Sequence, residues 1–142
     1  MIEPQFDRDM FDEDYLYFYE SIIGHVQSDA DVALIWRLLD PGHGIDVLDL
    51  PCGHGRIANR LAARSCRVTG VDIAPAFLDR ARQDAAERGV AVDYRHGDMR
   101  ALPWAEHFDI VVNWFTSFGY FGDKDNMLVL REIAKVLRPG GR

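Results

Sequence analysis

The chain has 142 residues, 16 Lys+Arg against 23 Asp+Glu, a net charge of −7, two Cys, 48% hydrophobic and 11% aromatic residues. That length and apolar content suffice for a packed domain without disulfide or metal staples, and the ordinary balance of apolar and charged residues excludes a disordered or fibrous chain. No apolar run approaches the roughly 20 residues of a membrane helix, and the acidic start MIEPQFDRDMFDEDY lacks the basic-then-apolar order of a signal peptide, so no membrane partner is expected, the cytoplasm is the default location, and Cys52 and Cys66 are expected to be free thiols.

Residues 1–20 hold seven acids against the single base Arg8, so nearly all of the net charge sits on an N-terminal arm and the remainder is almost neutral. Neither part carries the basic stripe of a polyanion binder, and no nucleic-acid partner is expected. Glu13 to about Val26 reads as a helix with Asp12 as its cap, and Ser28 with Asp31 opens a second over Ala30 to about Leu39, stopped by Pro41-Gly42. After that the hydrophobic period changes. Ile45–Leu50 is a short strand ending in a Gly-rich turn, Arg56–Arg64 a helix, and Arg67–Asp72 a second strand. Pro75 starts a helix that Gly89 closes, with Phe77, Leu78, Ala81 and Ala85 as its apolar stripe. Val90–Arg95 is the third strand and Phe108–Trp114 the fourth, whose near-continuous apolar run predicts burial on both faces. Asp125–Leu137 is helical, with Met127, Leu128, Leu130, Ile133, Ala134 and Leu137 expected to face inward. Strands alternating with helices at this spacing predict an α/β fold with a parallel, doubly wound sheet. The natural division is an arm over residues 1–40 and a ligand-binding domain over 41–142.

In such sheets the ligand lies outside the carboxyl ends of the strands, against the first helix. The turn there is Asp49-Leu-Pro-Cys-Gly53-His-Gly55-Arg-Ile-Ala58. Gly53-x-Gly55-x-x-Ala58, with Asp72 nineteen residues beyond Gly53, also fits a dinucleotide fingerprint, so the pattern alone leaves a nicotinamide-dependent oxidoreductase open. Charge separates the two. The first strand ends at Asp49, the second at Asp72, and the third runs into Gly97-Asp98. A pyrophosphate beside these carboxylates meets like charge in a partly buried cleft. A ligand with a sulfonium, an ammonium, a ribose diol and an adenine amine finds acceptors for its donors instead. S-adenosyl-L-methionine is that ligand.

The same residues carry a resemblance. Val47-Leu-Asp-Leu-Pro-Cys-Gly-His-Gly55, Gly70-Val-Asp72, Gly97-Asp-Met-Arg-Ala-Leu-Pro103, Phe108-Asp-Ile-Val-Val112 and Val136-Leu-Arg-Pro-Gly-Gly141 follow in the order and spacing of the class I S-adenosylmethionine-dependent methyltransferases, which the chain resembles from Val47 to Gly141. The resemblance implies a Rossmann-like sheet in the order 3-2-1-4. It implies a cofactor loop at Asp49, Gly53 and Gly55, ribose hydroxyls on Asp72, and adenine between Ile73 and Met99 with its amino group on Asp98. Asn113 and Trp114 match the loop where the methyl donor faces the acceptor. Pro51 departs from the pattern by standing where the family usually has its first glycine, which removes an N–H donor. The plainer readings are a solvated strand-end acid for Asp72, a turn cap for Asp98, a packing residue for Cys52 and a solvent-facing loop residue for His54. The five His are scattered and no metal is expected.

Eleven of the sixteen aromatics fall in two segments: Phe6, Phe11, Tyr15, Tyr17, Phe18 and Tyr19 in the arm, and Trp114, Phe115, Phe118, Tyr120 and Phe121 after the fourth strand. The second cluster is expected to line the acceptor side, and Tyr15 or Tyr19 to close over the methionine end, where aromatic faces suit a sulfonium and exclude water. Methyl transfer is an in-line displacement at an already activated carbon, so alignment is the main task of the protein. No residue declares itself as a general base; Tyr19, His107 and Tyr120 are the candidates. The reading is thus methyl transfer to a small-molecule acceptor, with a homodimer as the assembly to test. A non-catalytic cofactor-binding fragment is a further alternative, because Leu137-Arg-Pro-Gly-Gly-Arg142 leads by resemblance into a fifth strand that does not follow, and the chain is expected to be a truncated piece of a longer enzyme.

Overall fold

The computed structural model describes residues 12–142; residues 1–11, with Phe6 and Phe11, and the side chains of Glu13, Tyr19, Glu20 and Ser21 lie outside the described residues. The described residues form nine elements in order: α1 (Glu13–Ile22), α2 (His25–Leu39), β1 (Asp46–Asp49), α3 (Ala58–Ala63), β2 (Arg67–Asp72), α4 (Pro75–Arg88), β3 (Val92–His96), β4 (Ile110–Val112) and α5 (Asp123–Val136). The four described strands form one parallel sheet in the order β3-β2-β1-β4, as expected. Its register sets Asp49 beside Gly70 and Val112, and Asp72 beside His96, so the carboxyl ends of the strands share one edge of the sheet.

One face packs Val32 and Ile35 of α2, Leu61 of α3 and Leu78, Ala81 and Ala85 of α4 against Val47, Val68 and Ile110. The other packs Val129 and Val136 of α5 with Leu48, Leu50, Phe108 and Met99. The stripe expected on α4 is the buried one, and Gly89 closes that helix in the left-handed region at φ 65°. At the opposite end of the sheet Asp46 accepts from Arg67 at 2.7 Å and from Arg138 at 2.9 Å, which ties β1 and β2 to the turn after α5.

Several expected boundaries move. The N-terminal helices part at Gly24 rather than near Ser28: Gly24 is extended, and Ser28 sits buried inside α2 with its hydroxyl on the Gly24 carbonyl at 3.2 Å. Glycine is a poor interior helix residue and a good N-cap, which explains the break. Asp12 caps α1 as expected, accepting from the Tyr15 N–H at 2.8 Å. β4 is three residues long, because Phe108 pairs with Leu137 instead and Asn113 turns its amide to the Leu50 carbonyl at 2.8 Å. On the outer side of β4, the Val111 N–H donates to Arg142 at 2.9 Å and the Arg142 N–H to Asp109 at 3.0 Å. The expected inner face of α5 holds at Ile133 but not at its other end. Met127, Leu128 and Leu130 are exposed, and Val129 and Val136, seven residues apart, face the sheet with Ile133 between them.

Candidate active site

A cleft of about 1000 Å³, open to solvent, lies against the carboxyl ends of β1, β2 and β4. Its floor is the turn after β1. That turn is fixed by the Cys52 N–H on the Val71 carbonyl at 2.9 Å, the Gly55 N–H on the Cys52 carbonyl at 3.0 Å and the Asn59 N–H on the Gly55 carbonyl at 2.9 Å. Gly53 turns the chain at φ 54° and donates its N–H to Asp72 Oδ2 at 2.8 Å; the Ala74 N–H donates to Asp72 Oδ1 at 2.9 Å. Two backbone donors therefore aim the Asp72 carboxylate while leaving lone pairs on both oxygens.

All three predicted carboxylates line this cleft. Asp49 is 2% exposed and accepts from the Ala58 N–H at 3.1 Å. Burial pushes its carboxyl up to about 7, against the pull of Arg56 and the Ala58 N–H. Burial also pushes Asp72 above the usual carboxylate range, opposed by the N–H groups of Ala74, Gly53 and Ile73. Asp98 is held by the fork of Arg100, at 2.7 Å from Nη2 and 3.0 Å from Nε, and accepts from the Arg100 backbone N–H at 2.9 Å. The turn-cap reading of Asp98 is thus correct as far as it goes, and the same side chain still faces the cleft. Ile73, Met99, Gly53, Trp114 and Tyr15 are on the wall as expected, with Tyr15 stacked on Phe77 at 5.9 Å between centroids. Phe115, Tyr120 and Phe121 join them; Phe118 does not. His54 is on the wall too, and burial holds the Cys52 thiol well above its usual range, as befits a packing residue.

Three predicted residues lie elsewhere. Gly55 is under the turn, not on the cleft. A Cβ there would collide with the Tyr94 hydroxyl and come within 2.9 Å of Ala81 Cβ, so its φ of 80° serves close packing of the turn on β3 and α4. Asn113 contacts the Leu50 carbonyl and is not among the lining residues, so it ties the end of β4 to the turn. His107 lies before β4, at the end of the sheet away from the cleft, stacked on Trp104 at 6.3 Å and edge-on to Phe108 at 4.8 Å between centroids; it is not a general base for this site. The Tyr19 side chain lies outside the described residues. Arg56 and Arg100 were not foreseen. The first lines the cleft, and the second joins Asp98 to Asp125 of α5 at 2.7 Å. Among the described residues, no group of three or more His, Cys, Asp or Glu is arranged to hold a metal ion, and no helix is long and apolar enough to cross a membrane.

The sequence matches the family model described as "Methyltransferase domain" over residues 47–141. The chain belongs to that methyltransferase domain family. The ubiquinone biosynthesis O-methyltransferase of Chelativorans sp. is 31% identical over 126 residues, covering 88% of this chain and 46% of that protein. A solved protein from Pyrococcus horikoshii superposes with a TM-score of 0.72 at 29% identity, covering 94% of this chain and 54% of that one. A solved [4+2]-cyclase superposes with a TM-score of 0.71 at 30% identity, covering 80% and 42%. This methyltransferase domain therefore spans about half the length of the relatives it matches. The cofactor of the family is S-adenosyl-L-methionine, and the chemistry of the lining is compatible with it: three acceptor carboxylates, the apolar side chains of Ile73 and Met99, and several aromatic rings line one cleft.

Proposed function

We propose that this chain binds S-adenosyl-L-methionine in the cleft and serves methyl transfer to a small-molecule acceptor. The observation that carries the reading is the convergence of Asp49, Asp72 and Asp98 on one cleft whose far wall is aromatic. Asp72 takes the ribose hydroxyls, Asp98 the adenine amino group with Ile73 and Met99 against the ring, and Gly53 lets the backbone approach the methionine portion. Gly55 and Asn113 act beneath the surface by holding the turn. When bound, the cofactor supplies a methyl group on a sulfonium. The chain's own work is to orient that group toward the acceptor and to keep water out, and such alignment is worth up to roughly 7–11 kcal/mol of barrier in favourable cases. Trp114, Phe115, Tyr120 and Tyr15 supply the aromatic wall, and α1, from the arm of residues 1–40, contributes Tyr15 and Leu16 to it. Of the three base candidates, Tyr120 lies on the cleft.

A small acceptor suits the aromatic lining and the near-neutral body, and the similarity to an O-methyltransferase of Chelativorans favours oxygen as the methylated atom. Calorimetric titration with S-adenosylhomocysteine and, separately, with NAD tests the reading. Binding of S-adenosylhomocysteine without NAD supports it. Tighter binding of NAD reverses it in favour of an oxidoreductase.

A further inference from the structure

The assignments above give no side chain to the charged groups at one end of the cofactor. Its amino-acid end carries an ammonium and a carboxylate on the same carbon, and Asp49, Asp72 and Asp98 repel a carboxylate. Among the described lining residues Arg56 is the only Lys or Arg. It is 9% exposed, an unusual position for a guanidinium unless it has partners. Its Nη1 donates to Asp31 Oδ2 at 2.6 Å, and the ring of Phe115 lies 5.6 Å from its Cζ. Asp31 is fixed in turn. Its Oδ1 accepts from Gln27 at 2.8 Å. Burial works to raise the Asp31 carboxyl, but the hydrogen bonds from Arg56 and Gln27 outweigh it and hold it ionised. Among the described residues the Arg56 side chain makes this one hydrogen bond, through Nη1, and a guanidinium has five N–H groups to give. The fork is therefore held by one nitrogen and one aromatic ring on a wall that also contains Asp49, whose charge it attracts.

We propose that Arg56 binds the α-carboxylate of the cofactor while Asp49 faces its ammonium, so that the two side chains together form a receptor for a zwitterionic amino-acid head group, with Asp31 as the positioning residue for Arg56. This rests on the proposed cofactor cleft. It adds a selection rule that the adenosine contacts lack: ligands with the nucleoside but no carboxylate bind less well, by the amount that Arg56 supplies. Planar, charge-assisted recognition of a carboxylate is what a pre-oriented arginine does well.

The test is a calorimetric comparison on the full chain with two ligands: S-adenosylhomocysteine and its decarboxylated analogue S-adenosyl-3-thiopropylamine. The native chain should prefer the first, and R56Q should weaken S-adenosylhomocysteine by roughly 10- to 100-fold while changing the decarboxylated ligand less than about twofold. D31N should weaken S-adenosylhomocysteine in the native background and have no further effect in the R56Q background. Equal weakening of both ligands by R56Q overturns the proposal by making Arg56 a structural support. No weakening of either also overturns it. Failure of the native chain to bind S-adenosylhomocysteine at all removes the proposed function itself, and this inference with it. Should R56Q fold poorly, R56K with the same two ligands decides, because it keeps the charge and loses the fork: a loss confined to S-adenosylhomocysteine supports the proposal.

Discussion

Asp49 offers a pH effect opposite in sign to ordinary acid denaturation. Its carboxyl is raised by burial from 3.8 to about 7. In the window between those values the folded chain holds a proton that the unfolded chain has released, so stability falls as pH rises from about 4 to about 7 and then levels off. Each tenfold change in proton affinity is worth about 1.4 kcal/mol, so the full effect of this side chain is about 4 kcal/mol, of which about 2–3 kcal/mol falls between pH 5 and pH 8. Asp49→Asn keeps the shape and cannot ionise. Urea unfolding of the native chain and of this variant at pH 5 and pH 8, without ligand, isolates the contribution: relative to the variant, the native chain should lose about 2–3 kcal/mol over that interval. A difference between the two that does not change with pH would refute the burial argument. The functional counterpart has the same origin. A cationic ligand pulls Asp49 toward its charged form, so binding near pH 7 releases a proton, visible as a dependence of the calorimetric heat on the buffer's ionisation enthalpy.

Gly55→Ala adds about 1–2 kcal/mol of left-handed backbone strain to about 1–3 kcal/mol of overpacking against Tyr94 and Ala81. The melting temperature of the ligand-free chain should therefore fall on the order of 10 °C; an unchanged midpoint would return Gly55 to a cofactor role. His107→Ala should leave the S-adenosylhomocysteine affinity within about twofold and cost about 1 kcal/mol of ring packing with Trp104 and Phe108. A tenfold loss of affinity would contradict its placement away from the cleft.

What the sequence made legible were features with local causes. The alternation of apolar strands and helices dictates a parallel sheet, the order of its strands comes from the family resemblance, and strand ends dictate where Asp49, Asp72 and Asp98 meet. Gly55 was misread because the group that needs its missing side chain, the Tyr94 hydroxyl bonded to Asn59 at 2.7 Å, is supplied from β3. His107 is a poor base candidate on chain order alone: it precedes the fourth strand, and in a parallel sheet that is the amino end, away from the cleft. Arg56 escaped notice because its partner Asp31 is 25 residues away on α2, beyond any local spacing rule. On α5 two apolar stripes compete: Met127 and Leu130 match the helical period as well as Val129 and Val136 do, and only packing on Leu48, Leu50 and Phe108 chooses the second.

The account stands on the cofactor being held by strand-end carboxylates, and Asp72 is the one with both oxygens aimed by backbone donors. Titration of S-adenosyl-L-methionine into the native chain and into Asp72→Asn tests this most directly. The variant should bind at least about tenfold more weakly, the loss expected for hydrogen bonds to a charged acceptor. Equal dissociation constants for the two proteins would contradict it.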